Sequence, residues 1–325
     1  MHVVIGGGQV GTLVAEKLIA RGERVRIVSR RDRGTIIEQA TMMYGDMRDL
    51  RFAEEGTRGA RVVYQCAAPP YDRWFDELQA LVTGVIHGAR TAGARLIVLD
   101  NLYMYGQVGA GPDGAEPFNE DTPQRPNSRK GVLRARLGDD LLHAHRRGDL
   151  QVAIGRAADF IGPGATVAII MHEDFYRRAL AGLPAQLIGD PTLPHAYAYT
   201  LDVAEALVTL GSRDEALGRV WHLPVLERTS TLALVERMQR ALGAPVRHEL
   251  LSDRLLAEIG QQNRVIAEIV EMTYQFKSPF IVDDTRIREA FGLHATPMDD
   301  VVRETARWAR ATFSKPLEAA RYLLD

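Results

Sequence analysis

Met1-His2-Val3-Val4-Ile5-Gly6-Gly7-Gly8-Gln9-Val10-Gly11 opens the chain, and its reading decides the fold. The first five residues form a short apolar run of the kind that makes a buried strand. Gly6, Gly8 and Gly11 then fall at the spacing G-x-G-x-x-G. A helix follows, with Val10, Leu13, Val14, Leu18 and Ile19 on one face and Gly22 just past its end. Val25-Arg26-Ile27-Val28-Ser29-Arg30-Arg31 is a second strand. Within a strand–turn–helix–strand unit each glycine has a task. Gly6 permits the tight turn, Gly8 lets a pyrophosphate approach the backbone, and Gly11 lets the helix pack on the sheet. The helix N-terminus offers unpaired N–H groups and a partial positive charge. The stretch therefore predicts a dinucleotide site built on Gly6, Gly8, Gln9, Val10 and Gly11.

The end of the second strand bears on which dinucleotide binds. An acid there accepts from the ribose 2′-hydroxyl of NAD, whereas arginine accommodates the 2′-phosphate of NADP. Ser29, Arg30 and Arg31 favour NADP(H) over NAD(H), because guanidinium groups bind phosphate in a bidentate fork. Asp32 follows at once and keeps the NAD reading open.

Working outward, 325 residues suffice for one large domain or two. A formal net charge of −2 gives no basic excess for nucleic acid. The only lysines are Lys17, Lys130, Lys277 and Lys315, which draws attention to Lys130. Cys66 is the sole cysteine, so no internal disulfide is possible; it reads as a buried small hydrophobe. The chain opens directly into a strand without a charged leader, and no run of about 18 apolar residues occurs. The expectation is a soluble cytoplasmic protein with no membrane contact.

Strands and helices then alternate. Residues 40–44, 61–68, 94–99 and 150–154 read as further strands. Helices are expected near 50–55, over 71–92 as one long element, and over 130–146. Residues 34–39 read as a short helix or loop, and 107–129 as a long loop of the sort that often carries function. This rhythm predicts an α/β fold, a Rossmann-type doubly wound parallel sheet. Beyond residue 160 the rhythm weakens into a short strand at 220–223 and helices at 201–210, 232–242, 251–273, 285–291 and 298–313. The expected organisation is a nucleotide-binding domain over 1–160 and a smaller α/β substrate-binding region over 161–325, some of it returning to the sheet.

These features resemble the extended short-chain dehydrogenase/reductase superfamily, the NAD(P)-dependent epimerases and dehydratases. The resemblance rests on the Gly6/Gly8/Gly11 turn, Gly45-Asp46, Cys66-Ala67-Ala68, Tyr105-Gly106, Arg156 followed by Gly162-Pro163-Gly164, and Leu201-Asp202-Val203-Ala204, in that order. It implies that Asp46 and Met47 lie near the adenine. It places Ala67, Ala68 and Pro69 along the far ribose and phosphates. Many relatives form a dimer through the helices corresponding to 71–92 and 130–146, so a homodimer is expected. The chain departs from the pattern in its glycine spacing, where Ile5 replaces the first glycine of G-x-x-G-x-x-G. It departs again where relatives carry a Ser or Thr and a Tyr-x-x-x-Lys. Here Asn101 stands at the former position, and Lys130-Gly131-Val132-Leu133-Arg134 is the nearest equivalent of the latter.

Hydride chemistry needs a proton donor or acceptor beside the reacting oxygen. Tyr103, leaving the carboxyl end of the fifth strand, is the first candidate, with Lys130 or Arg134 as the cation that helps it ionise. Lys130 is the alternative acid/base or a ligand to the cofactor ribose, and Arg134, one helical turn on, a ligand to phosphate or carboxylate. Tyr105, His172, Tyr176, His195, Tyr197 and Tyr274 are candidate substrate contacts, with His172 and Tyr176 on one helix face. The histidines lack metal-ligand spacing, so no metal is expected. Three functions remain open. One is an NADP-dependent oxidoreductase or epimerase-like enzyme acting on a small polar or sugar-like substrate. Another is a non-redox isomerase or lyase on the same fold. The third is an NADP-binding regulatory sensor without turnover.

Overall fold

The computed structural model describes residues 1–31, 37–108 and 116–313. Asp32, residues 34–36 of the 34–39 segment and residues 109–115 of the long loop lie outside the described residues.

The chain begins β1 (His2–Ile5), α1 (Gln9–Ala20), β2 (Val25–Ser29), β3 (Ala40–Tyr44), α2 (Leu50–Thr57) and β4 (Val62–Gln65). It continues with α3 (Gln79–Thr91), β5 (Arg95–Asp100), α4 (Arg129–Arg146) and β6 (Val152–Arg156). One seven-stranded sheet collects these strands in the order β3-β2-β1-β4-β5-β6, followed by the strand Val220–His222. Every pairing in it is parallel. The order reverses direction between β1 and β4, which opens a crevice at the carboxyl ends of the strands.

Strand alternation sends neighbouring residues to opposite faces. Val4, Ile27, Tyr64, Ile97 and Ala153 join α1 and α6 (Thr200–Ser212) on one side. Val3, Val28, Val63, Leu96, Val152 and Ile154 join α2, α3 and α4 on the other. Both faces are covered, which is why the strands are apolar throughout. The last strand, Val220–His222, returns from beyond residue 160 and pairs with β6.

A second core is built from α5 (Glu173–Leu180), α7 (Thr231–Ala241) and α11 (Met298–Phe313), with Phe175, Leu234, Met238, Val301 and Val302 buried in it. Two short helices, α8 (Asp253–Gly260) and α9 (Arg264–Val270), replace the continuous helical stretch expected over 251–273. Ser252 and Asn263 each accept N–H bonds as side-chain caps, so the chain starts a helix twice. A further helix, α10, spans Thr285–Phe291. No helix among the described residues is long and apolar enough to cross a membrane.

The long helix expected over 71–92 is also divided. A 3₁₀ turn (Tyr71–Arg73) and a π turn (Trp74–Leu78) precede α3. Pro69 and Pro70 withhold the N–H groups that would continue a regular helix backward. The widened turn brings Tyr71, Trp74 and Glu77 to the crevice, and Trp74 Nε1 donates to the Pro69 carbonyl at 3.0 Å.

Candidate active site

The crevice is a continuous cleft of about 1390 Å³. Its first end is made by backbone. Gly6 has φ +100°, and a Cβ there would meet the Ala67 nitrogen at 2.8 Å, so the exits of β1 and β4 touch. A Cβ on Gly11 would stand 1.9 Å from the Gly6 carbonyl oxygen. A Cβ on Gly8 would meet nothing within 4 Å, because Gly8 faces the open cleft. α1 has no side-chain cap and no acid in its first turn. A bare helix N-terminus, a clear approach and two tightly packed glycines fit a pyrophosphate.

Gln9 lines the cleft, but its amide is engaged. Its Oε1 accepts from the Thr166 and Val167 N–H groups at 3.2 Å, and its Nε2 donates to the Val167 carbonyl at 3.1 Å. It thereby ties the glycine turn to the loop at 166–167. Val10 lines the same end, while Gly11 is packed behind it. Ala67, Ala68 and Pro69 form the opposite lip, with the buried Gln65 donating to the Ala67 carbonyl at 2.7 Å.

Ser29, Arg30, Arg31, Asp46 and Met47 border the cleft beyond the exits of β2 and β3. Glu77, which sequence reasoning missed, collects the arginines there. Its carboxylate accepts from Arg30 at 2.9 Å and lies 3.5 Å from both Arg48 and Arg73. Arg48 also pairs with Asp46 at 2.6 Å, and that hydrogen bond holds the Asp46 carboxyl below its ordinary range. Ser29 Oγ turns back to the Arg31 carbonyl at 3.0 Å.

Tyr103 stands in the middle of the cleft, on a 3₁₀ turn after β5. Asn101 Oδ1 accepts the Tyr103 N–H at 3.2 Å and so fixes the turn. The Tyr103 hydroxyl bonds to the Tyr71 hydroxyl, and its ring stacks at 6.1 Å on Trp74. Burial, then the neighbouring Tyr71 and Asp159, push the Tyr103 phenol well above its ordinary pKa. The cation expected to help it ionise is not bonded to it. Arg134 lines the cleft but lies over the Trp74 ring at 4.3 Å and 3.3 Å from Asp100.

Lys130 is not among the described residues lining the cleft. Fully buried, it points to α9, where its Nζ bonds Glu268 and lies 3.0 Å from Glu271. Of the expected substrate contacts only His172 lines the cleft, and burial lowers its pKa, leaving the ring neutral. Tyr176 faces the second core, with its ring 6.0 Å from Phe313, so it shares no cleft-facing surface with His172. The Tyr105 hydroxyl accepts from Arg156 and donates to His222 Nε2, both at 2.8 Å, inside the protein. Tyr197 is buried on Thr231, and Tyr274 lies outside the described lining. His195 is buried too, but its Nε2 donates at 2.8 Å to Asp159, which does reach the cleft.

Asp159, Tyr71 and Trp74 are thus site residues that sequence reasoning passed over. Asp159 sat unremarked between Arg156 and Gly162, and the two aromatics fell within the stretch read as one long helix over 71–92. Cys66 is half-buried at the cleft rather than deep in the core, and desolvation pushes its thiol up to about 12, so it stays protonated. No group of three metal-ligating side chains occurs among the described residues.

A sequence model described as the NAD dependent epimerase/dehydratase family matches residues 2–223. No curated protein matches the chain. Among solved structures, dTDP-glucose 4,6-dehydratase from Bacillus anthracis, in complex with NAD, superposes with a TM-score of 0.80 at 15% identity, covering 97% of this chain and 98% of that one. UDP-glucose 4-epimerase from Thermotoga maritima, with UDP-glucose, gives 0.78 at 17% identity and covers 96% and 99%. The Thermus thermophilus UDP-glucose 4-epimerase complex with NAD gives 0.76 at 19% identity and covers 95% and 99%. At such identities these likenesses establish the fold.

Proposed function

The chain belongs to the NAD-dependent epimerase/dehydratase family, and from that premise we propose that it is an NADP(H)-dependent enzyme acting on a carbonyl or hydroxyl carbon. The observation that carries this reading is a bare glycine turn opening into the same cleft as Tyr103. Bound in that turn, a nicotinamide dinucleotide supplies or accepts hydride. Gly6, Gly8, Gly11, Ala67, Ala68 and Pro69 would hold its phosphates and far ribose, and Asp46 and Met47 would border its adenine. The preference for NADP rests on charge. Arg30, Arg31 and Arg48 line that end against Asp46 and Glu77, an excess of positive charge suited to a 2′-phosphate.

The phenol of Tyr103, kept protonated by burial, Tyr71 and Asp159, is suited to donate a proton to a substrate oxygen. Tyr71, bonded hydroxyl to hydroxyl and half-buried at the cleft, passes a proton to Tyr103 and takes one in turn from cleft water. Asn101 and Trp74 fix the position of Tyr103. The test is NADPH oxidation with a panel of aldehydes and ketones. Tyr103→Phe is expected to slow turnover by at least about 100-fold, the usual worth of a positioned acid, with NADPH affinity unchanged. Equal turnover in the variant would contradict the assignment.

One observation favours a second reading. Lys130 is held by Glu268 and Glu271 and lies 5.3 Å from the Tyr71 ring, so among the described residues no lysine is bonded to the Tyr103 hydroxyl. A regulatory sensor that binds NADP without turnover is consistent with that. It would give tight NADPH binding, no reduction of any panel member, and a cofactor-dependent change in partner binding. Substrate isomerised or eliminated with no net NADPH oxidation would instead mark a non-redox enzyme.

A further inference from the structure

Past Tyr103 the cleft changes character. Its walls are formed by residues 166–170 and 183–188 and by α8 and α9. Ile169, Leu183, Ile188, Leu256, Ile259 and Ile266 all line it. The rim is apolar as well: Val167 is 71% exposed, Leu183 42% and Val265 41%.

A nucleoside diphosphate needs free cations or vacant helix N-termini for its charges, and among the described residues of this half of the cleft the lining arginine is engaged and the helix N-termini are either capped or acidic. Arg178 is the cation lining it, and its guanidinium is already engaged. It bonds Glu249 at 2.9 Å and the Pro184 carbonyl at 3.0 Å, with Asp174 4.0 Å away. His172 is kept neutral by burial. The first turn of α5 carries Glu173 and Asp174, which repel an anion. The N-terminus of α8 is capped by Ser252 and followed by Asp253, and that of α9 is capped by Asn263.

We infer that this half of the cleft takes the apolar body, aryl or alkyl, of a small carbonyl or hydroxyl compound, and not a nucleoside-diphosphate sugar. The reacting group at Tyr103 rests on the function proposed above; the apolar body does not. It departs from the small polar or sugar-like substrate expected from the sequence. The occupant is a small molecule because the apolar walls continue the cofactor cleft, whose volume of about 1390 Å³ exceeds that of usual single-ligand pockets.

The test is calorimetric titration of the full chain, with and without NADPH, using phenyl alkyl ketones from acetophenone to octanophenone and, separately, UDP-glucose. Kd should tighten about fourfold for each added methylene, with a negative heat-capacity change, and UDP-glucose should not bind. Ile266→Asp should weaken the longest ketone by at least about tenfold. Val265→Glu, at the exposed rim, should weaken it by about threefold while leaving the melting temperature in place. A Kd independent of chain length, or UDP-glucose binding tighter than every ketone, would overturn the inference. So would a dimer that Val265→Glu dissociates in a protein binding no ketone, since a second copy would then own the wall. Ketone binding with the expected increments but no NADPH binding would sustain this inference and defeat the proposed cofactor.

Discussion

The two ends of the cleft are made of different things. At the cofactor end the shape is set by backbone: Gly6 against Ala67, Gly11 against the Gly6 carbonyl, and Gly8 facing space. At the end proposed to be catalytic, around Tyr103, it is set by side chains whose partners come from distant segments. Tyr103 depends on Tyr71 and lies near Asp159, while Lys130 is claimed by glutamates 138 and 141 residues away. The first kind of site rests mainly on one short stretch, Gly6 to Gly11, closed by Ala67, and tolerates no side chain at Gly6 or Gly11. The second is assembled by tertiary packing, and its members can change role without changing the fold.

The sharpest way to break this comparison is within the glycine turn. Gly8→Val should fold normally, since its Cβ meets nothing within 4 Å, yet block the phosphates and weaken cofactor binding by well over about 100-fold, because pyrophosphate needs close backbone approach. Gly11→Val should lose both binding and stability, because its Cβ would sit 1.9 Å from a carbonyl oxygen. Melting temperatures and cofactor titrations of the pair separate the two effects; equal loss of stability in both would refute the distinction.

The next effect concerns cofactor choice. Arg30→Ala removes a guanidinium that is already partnered by Glu77. It should weaken NADPH by about tenfold, the worth of one charge-assisted hydrogen bond, and leave NADH unchanged. Parallel loss of both cofactors would assign Arg30 to packing rather than to the 2′-phosphate.

Smaller still is the expected effect of Lys130→Met. The change strands Glu268 and Glu271, but their side chains are 25% and 24% exposed and can turn to water. A loss of about 1–3 kcal/mol in denaturant unfolding is expected, with cofactor affinity and turnover intact. Lost cofactor affinity in this variant would restore Lys130 as a ribose ligand.

A pH effect marks the side-chain core behind the catalytic end. Burial, aided by the Arg156 charge, lowers His222 from 6.5 to about 3. Between those values the unfolded chain takes up a proton that the folded chain does not. Stability should therefore be complete above the unfolded value and fall as the pH drops below it, by up to about 1.4 kcal/mol per pH unit. Urea titrations in mildly acidic buffers should show this slope in the parent and a flatter one in His222→Gln.

The legibility of the molecule follows the same division. β1 to β6, α1 and the glycine turn were readable because apolar runs and glycine spacing are short-range signals. Where Pro69 and Pro70 converted the start of a periodic helix into 3₁₀ and π turns, periodicity persisted while geometry did not, so Tyr71, Trp74 and Glu77 went unnoticed. Tyr105, Tyr176 and Tyr197 looked like ligands because polar aromatics were the visible chemistry, but their rings complete buried cores. Asp159 carried no local signal; its place at the cleft depends on strand pairing with Tyr197 and on His195 beyond it. The apolar wall on α8 and α9 was visible as helix but not as lining, since a helix pattern does not say what faces it.

The most direct test of the central claim, a competent cofactor end joined to Tyr103 in one cleft, is calorimetric titration of the parent and Gly8→Val proteins with NADPH and NADH. The account predicts tight NADPH binding and weak NADH binding in the parent, and neither in a normally folded Gly8→Val. Binding of neither cofactor to the parent, or undiminished binding to Gly8→Val, would contradict it.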